Sequence, residues 1–206
     1  MALSIYGRSP VNWQPLAQWP RGQRPAAALC NWLLDTGSLT ARLVARSRGH
    51  FHVEVIRQQI ARPALSEWRC LNLDRHGLAL IREVVLCGHN RPWVFARSVL
   101  PLTSLTGTLR HLRKQDASPL GAFLFSQPHL QRSAIAVSRI SRHHGYVPTQ
   151  LINDTPLWGR RSVFYLEDKP LLVSEVFLDA FVATLASPAV SFDTPHIVND
   201  RQQNLL

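Results

Sequence analysis

The sequence predicts an α+β fold, a single domain in which helices pack on a mainly antiparallel β-sheet. Apolar residues follow a helical spacing in some segments and alternate with period two in others. These segments come in blocks instead of alternating as βαβ units, which favours antiparallel pairing of the strands. The 206 residues, 46% of them hydrophobic, are enough for one well-packed core and few for two.

The chain divides by composition into three parts. Residues 1–24 are rich in Pro, Gln, Arg and Trp, which predicts an irregular lead-in that packs through Trp13 and Trp19. Residues 25–182 carry the periodic segments and form the predicted domain. Residues 183–206 are polar and contain proline, so we expect a C-terminal tail.

Four segments have the signals of helices. Pro25 fits the first turn of a helix that ends at Gly37, and Ser38 can cap a second short helix that ends at Gly49. Together they predict a helical hairpin. Leucines at helical spacing predict a further helix over 103–115, and Ser118-Pro119 opens another through Phe125.

Alternating apolar residues predict the strands, which lie at 51–55, 68–73, 78–87, 93–100, 135–139, 162–167 and 171–178. The clearest hairpin joins 78–87 to 93–100 through the polar turn 88–92. The last two strands are joined by Glu167-Asp168-Lys169-Pro170.

Two of these strands carry a charge on a face that otherwise looks like core. Arg82 shares its face with Leu80, Val84 and Leu86, and Glu175 shares its face with Leu171, Val173 and Phe177. A charge on a half-buried surface costs several kcal/mol unless it is paired. Pattern alone favours an ion pair between the two residues or exposure to solvent, because structural ion pairs are commoner than active sites. A bound ligand is the alternative partner.

The excess of positive charge indicates which classes of partner the protein can bind. With 23 Lys and Arg against 13 Asp and Glu, the chain carries a formal charge of +10, which suits nucleic acid, an acidic membrane surface or small polyanions. The arginines are spread along the chain without a nucleic-acid-binding motif, so we expect no nucleic-acid partner. No apolar run reaches the ~18 residues of a membrane span, and we expect a cytoplasmic protein without stable membrane insertion.

Side chains that bind metals or act as nucleophiles have no recognisable arrangement. Cys30, Cys70 and Cys87 are odd in number and far apart, which indicates neither a disulfide framework nor a zinc site. His50 and His52 lack a third ligand at a suitable spacing, so we expect no metal. The sequence contains no Walker A loop, no G-x-G-x-x-G and no G-x-S-x-G, so a nucleotide cofactor and covalent catalysis have little support.

Five segments, in order and over about residues 26 to 181, resemble those of chorismate pyruvate-lyases: LIREVVLC at 80–87, PWVFARSVLP at 92–101, SPLG at 118–121, LWGRRS at 157–162 and KPLLVSEVFL at 169–178. The resemblance implies a cofactor-free carbon-oxygen lyase that converts chorismate to 4-hydroxybenzoate and pyruvate, the first committed step of bacterial ubiquinone synthesis. It also implies helical flaps over an internal ligand pocket, with slow product release and product inhibition. We expect a monomer whose partners are chorismate and 4-hydroxybenzoate.

The resemblance also implies roles for individual residues. Arg82 would bind the ring carboxylate, assisted by the main-chain N–H groups of Leu39 and Leu120. Glu175 would face the oxygen on the opposite side of the ring, as an orienting acceptor and a weak base at most. Three arginines are candidates for binding the second carboxylate of chorismate: Arg97, Arg160 and Arg161. For each of them, a surface or structural contact is at least as probable as a contact with the substrate.

Two other classes of function remain open at this stage. A ligand-sensing module of the same fold would bind an aromatic carboxylate without reacting it, but residues 1–24 are too short and too rich in proline for the DNA-binding winged helix that usually precedes such modules. A non-catalytic basic protein that binds nucleic acid through its spread arginines is the third possibility.

Overall fold

The computed structural model describes residues 10–74, 76–114 and 119–186, which form an antiparallel sheet with helices packed on it. The α+β prediction is therefore confirmed. The strands are β1 (Phe51–Ala61), β2 (Ala79–Gly88), β3 (Arg91–Pro101), β4 (Gln131–Arg132), β5 (Ala136–Ile140), β6 (Leu157–Leu166) and β7 (Lys169–Phe177). The α-helices are α1 (Ala27–Leu33), α2 (Leu39–Ser47), α3 (Leu65–Cys70), α4 (Leu120–Phe125) and α5 (Asp179–Ala186).

The sheet has the order β1-β2-β3-β7-β6, and both short strands β4 and β5 pair with β6. All of these pairs are antiparallel. Every residue of β2 is buried, because both faces of the central strands are covered. Helices α1, α2 and α5 pack on one face around Leu33, Leu43 and Phe181, none of which is exposed. The sheet therefore separates two apolar layers.

Local signals explain the elements that were predicted correctly. The Oγ of Ser38 accepts a hydrogen bond from the N–H of Ala41 and so caps α2 at its predicted start. His89 and Asn90 have positive φ angles of 52° and 56°, the conformation that a two-residue hairpin turn between β2 and β3 requires. Glu167 and Asp168, also at positive φ, form the turn between β6 and β7.

Two predicted elements differ from those in the structure. The strand predicted over 68–73 is instead the end of helix α3 and the residues after it. The carboxylate of Glu67 accepts a hydrogen bond from the N–H of Ala64 at 2.9 Å, which stabilises the first turn of this helix. The helix predicted over 103–115 is a shorter 3₁₀-helix, Gly107–Lys114, which begins where the backbone turns at Gly107 with a φ of +56°.

The lead-in packs as predicted through its tryptophans. The rings of Trp13 and Tyr146 lie 5.8 Å apart, and those of Trp19 and Trp158 lie 4.9 Å apart. At the other end, α5 continues to Ala186, beyond the boundary placed at residue 182. Residues 1–9 and most of the expected tail, 187–206, lie outside the described residues.

Candidate active site

A cavity lies between one face of the sheet and the helices α2 and α4 that cover it. Its empty volume is about 510 Å³, counted out to its mouth. The four residues singled out in the sequence all line it: Leu39, Arg82, Leu120 and Glu175. The cavity therefore brings together side chains from two strands and the first residues of two helices.

Strand register sets the separation of the two charged residues. Arg82 on β2 lies opposite Ser98 on β3, and Glu175 on β7 lies opposite Ala96 on β3. They are thus two strands apart and offset by two residues, a Cα separation of roughly 12 Å from standard sheet dimensions. The side chain of Arg82 is buried and that of Glu175 is 16% exposed. Opposite charges therefore lie at two ends of one cavity.

The wall between these ends is largely apolar and includes Val53, Val84, Leu86, Leu124 and Phe164. An apolar slot with a few polar groups at its ends suits a flat ring with polar substituents. Charged residues surrounded by such apolar side chains form stronger hydrogen bonds with a ligand than they would in bulk water.

Leu39 and Leu120 are the first residues of α2 and α4. The first N–H groups of a helix have no intrahelical partner, and they carry partial positive charge. Because Leu39 and Leu120 line the cavity, their N–H groups are candidate donors for an anionic group there. The main-chain N–H of residue 39 would remain a donor if Leu39 were replaced by another apolar residue.

The carboxylate of Glu175 is bound by Arg160, not by Arg82. The Nε of Arg160 donates to Oε2 of Glu175 at 2.6 Å. Arg160, one of the three candidates for the second carboxylate, is 1% exposed, since β6 places it directly opposite Glu175 on the cavity face of the sheet. The expected ion pair between Arg82 and Glu175 is therefore not the one that the structure contains, and Oε1 of Glu175 can still meet a ligand.

Arg132 is a further residue near the site that the sequence did not reveal. Its Nε donates to Oγ of Ser162 at 3.0 Å, and its guanidinium carbon lies 5.0 Å from the ring centre of Phe164. Burial, followed by the positive charge of Arg160, lowers the pKa of Arg132 to about 10, so it stays protonated at neutral pH. Strand β4 has only two residues, so periodicity gave no signal for it.

The other two arginines considered for the second carboxylate lie on the opposite face of the sheet. Arg97 binds Glu67 through two hydrogen bonds of 2.6 and 3.0 Å and also pairs with Glu83. Burial alone would lower its pKa, but the hydrogen bonds and charge of Glu67 raise the pKa above the ordinary value. Arg161 lies over the ring of Trp13 at 5.0 Å. Neither residue lines the cavity, because adjacent strand positions point to opposite faces.

The two covering helices approach each other closely at one glycine. A Cβ placed on Gly121 of α4 would lie 2.9 Å from Oγ1 of Thr40 on α2. Both residues line the cavity, so this contact closes it on the helical side.

A group with metal-binding side chains exists away from the cavity. The ligand atoms of His52, Glu54 and Cys87 lie within 4.8 Å of one another, on strands β1 and β2. Nε2 of His52 already pairs with Oε1 of Glu54 at 3.0 Å. Their backbone positions alternate with Val53 and Leu86, which line the cavity, so the group belongs to the opposite face.

Comparison with known sequences identifies the family. Residues 9–185 match the family described as chorismate lyase. The chain belongs to the chorismate lyase family. Its relatives include the probable chorismate pyruvate-lyase of Thiobacillus denitrificans, 40% identical over 175 residues that cover 82% of this chain and 90% of that protein. Another is the probable chorismate pyruvate-lyase of Azoarcus sp., 42% identical over 165 residues, which cover 76% of this chain and 87% of that protein.

Among solved structures, PhnF from Mycobacterium smegmatis has a TM-score of 0.51 and 17% identity, covering 71% of this chain and 66% of that chain. At this identity the similarity concerns the fold alone. Within the described residues, the chorismate lyase domain contains no helix of the length and apolar character needed to cross a bilayer.

Proposed function

We propose that the cavity over the sheet converts chorismate to 4-hydroxybenzoate and pyruvate, with Arg82 and Glu175 at its two ends. The observation that carries the proposal is the placement of all four expected site residues around one apolar cavity in a chain of the chorismate lyase family. Chorismate carries two carboxylates, and a protein of formal charge +10 attracts such a dianion.

Arg82 binds the ring carboxylate in this proposal. A guanidinium can grip a carboxylate with two parallel hydrogen bonds, and the buried position of Arg82 strengthens them. The N–H groups of Leu39 and Leu120 supply further donors to the same carboxylate. Glu175 accepts a hydrogen bond from the ring hydroxyl at the other end. Two polar contacts at opposite ends of a flat ring fix its orientation.

The reaction needs little acid-base assistance. The ether bond between the ring and the enolpyruvyl group breaks, the ring loses one hydrogen, and the enolpyruvyl group gains one to become pyruvate. The two products together contain all the atoms of chorismate, so no co-reactant is consumed. Formation of an aromatic ring supplies the driving force, and the protein contributes mainly orientation and exclusion of water.

We expect this lyase to work in the cytoplasm as a monomer that supplies the ring of ubiquinone, without a nucleic-acid partner or membrane insertion. The enclosed cavity favours slow release of 4-hydroxybenzoate and inhibition by it.

The direct test is to incubate the purified protein with chorismate and to quantify 4-hydroxybenzoate and pyruvate. Arg82→Gln and Glu175→Gln are measured alongside Arg139→Gln, an exposed arginine on β5 that serves as a matched control. We expect equimolar products from the wild type and the control. Loss of a charge-assisted contact of about 1.5–3 kcal/mol predicts a decrease of about 10- to 100-fold in kcat/KM for Arg82→Gln.

Glu175→Gln separates two roles of the carboxylate. Near-normal turnover would exclude a role as base and leave the orienting role, because glutamine retains an acceptor oxygen. No product from the wild type, together with a raised melting temperature in 4-hydroxybenzoate, would contradict the lyase and favour a sensing module.

A further inference from the structure

Arg160 connects Glu175 to the segment that covers the cavity. Its Nε donates to Glu175, while its Nη1 donates to the carbonyl oxygens of Trp32 at 2.8 Å and Asp35 at 2.7 Å. These carbonyls belong to the end of α1 and to the connection between α1 and α2. The connection leads directly to Leu39, which lines the cavity.

A guanidinium buried to this degree is costly unless its donors are satisfied. Here two nitrogens of Arg160 point in different directions, one at a carboxylate and one at two main-chain carbonyls. The planar fork of arginine can bind both at once, whereas the single ammonium of lysine cannot hold the same two directions. One side chain therefore fixes the carboxylate of Glu175 relative to the connection.

The same connection has a second, independent anchor. Nη1 of Arg132 donates to the carbonyl oxygens of Asp35 at 3.3 Å and Thr36 at 3.0 Å. Among the bonds described for Arg132, none involves Glu175. The two arginines thus share the task of holding the connection, and Arg160 alone also binds the site carboxylate.

We propose that Arg160 is a positioning residue, which holds the carboxylate of Glu175 in the orientation that accepts the ring hydroxyl. This role of Arg160 rests on the proposed function of the cavity, but it concerns a side chain that does not touch the substrate. Without Arg160, the carboxylate of Glu175 is free to rotate toward the positive charge of Arg82 across the cavity and to occupy the space of the ring. Arg160 keeps the two ends of the site apart.

A double-mutant cycle tests this role. Arg160→Gln is made in the wild-type and in the Glu175→Gln background, and kcat, KM and the affinity for 4-hydroxybenzoate are measured for each folded protein. We expect Arg160→Gln to lower kcat/KM by about 10-fold or more in the wild type and by much less when Glu175 is already changed, because contacting residues couple. Loss of the effect in the second background is a result that a merely structural role would not give.

Arg132→Gln is the comparison variant, since it removes the other anchor of the same connection, and Arg132 makes no described hydrogen bond to Glu175 and interacts with that carboxylate only through charge. Its effect on kcat/KM should change less between the two backgrounds than the effect of Arg160→Gln. If Arg160→Gln fails to fold, Arg160→Lys replaces it, because lysine keeps the buried charge but cannot bind both partners.

Two results would overturn the role of Arg160: wild-type kcat/KM and ligand affinity in a folded variant, or equal effects in the two backgrounds. Failure of the proposed function looks different, because the wild type itself would then form no 4-hydroxybenzoate. In that case the double-mutant cycle is evaluated from the affinity of each protein for 4-hydroxybenzoate. We expect the same coupling between Arg160 and Glu175 in these affinities.

Discussion

Individual charged residues have different roles on the two faces of the sheet, although they alternate along the same strands. Arg82 and its neighbour Glu83 point to opposite sides, and so do Arg160 and Arg161. On the cavity face, Arg82 and Glu175 line the cavity. On the other face, Glu83 pairs with Arg57 and Arg97. The identity of a side chain therefore says less about its role than its position on the strand.

Arg97→Met should lower stability without changing substrate binding. The change leaves Glu67 and Glu83 without a buried cation between them, which costs about 3–5 kcal/mol of the free energy of unfolding. Urea denaturation measures this loss. The KM for chorismate of the folded variant should equal that of the wild type. A large increase in KM at unchanged stability would instead indicate that Arg97 contacts the substrate.

Cys87 should be the least reactive of the three thiols. Burial, followed by the charge of Glu54, raises the pKa of Cys87 to about 11, so at pH 8 little of the reactive thiolate is present. Ellman's reagent should label the partly buried Cys30 and Cys70 first, and Cys87 slowly. Cys87→Ala should remove only the slow phase. Equal rates for all three thiols in the folded protein would show that Cys87 is accessible and ionised.

At the scale of elements, the cavity depends on how closely α2 and α4 meet. Gly121→Ala places a Cβ 2.9 Å from Oγ1 of Thr40, so the threonine must rotate or the helices must separate. Alanine stabilises a helix by roughly 1 kcal/mol relative to glycine, so any loss of function comes from the contact. We expect faster release and weaker binding of 4-hydroxybenzoate, measured by stopped-flow fluorescence and calorimetry.

Thr40→Ala in the Gly121→Ala background provides the control for this prediction, because it removes the atoms that the new Cβ would meet. Binding should recover toward the wild-type value. An affinity of Gly121→Ala equal to that of the wild type would mean that the helix contact does not close the cavity.

Elements with strong local signals were predictable from the sequence, and those set by distant contacts were not. The Ser38 cap and the β2–β3 hairpin carry their own turn and capping residues. Helix α3 has six residues and depends on Glu67, which binds both the Ala64 N–H and Arg97. The segment is too short for the spacing of its apolar residues to distinguish a helix from a strand.

The candidate site was predictable only in part, for a related reason. The family resemblance assigned four of the residues that line the cavity: Leu39, Arg82, Leu120 and Glu175. Arg160 and Arg132 act through main-chain carbonyls about a hundred residues away, at Trp32, Asp35 and Thr36. No local pattern reports such contacts, so their burial appeared only in the structure.

At the scale of the whole molecule, the sheet separates the face that lines the cavity from the face that carries the ion pairs of Arg97, and helices α2 and α4 cover the cavity. An enclosed cavity predicts that product release limits turnover. Rapid mixing of the protein with excess chorismate should give a burst of 4-hydroxybenzoate, close to one per protein molecule, followed by a slower steady rate. A linear time course from the first turnover would contradict slow release.

In our proposal one cavity holds the aromatic acid between Arg82 and Glu175, and a crystal structure of the complex with 4-hydroxybenzoate would show whether it does. We predict the carboxylate at Arg82, within hydrogen-bonding distance of the Leu39 and Leu120 N–H groups, and the hydroxyl at Glu175 with Arg160 still bound behind it. A ligand in the reverse orientation, or one bound on the opposite face of the sheet beside Arg97, would contradict the claim.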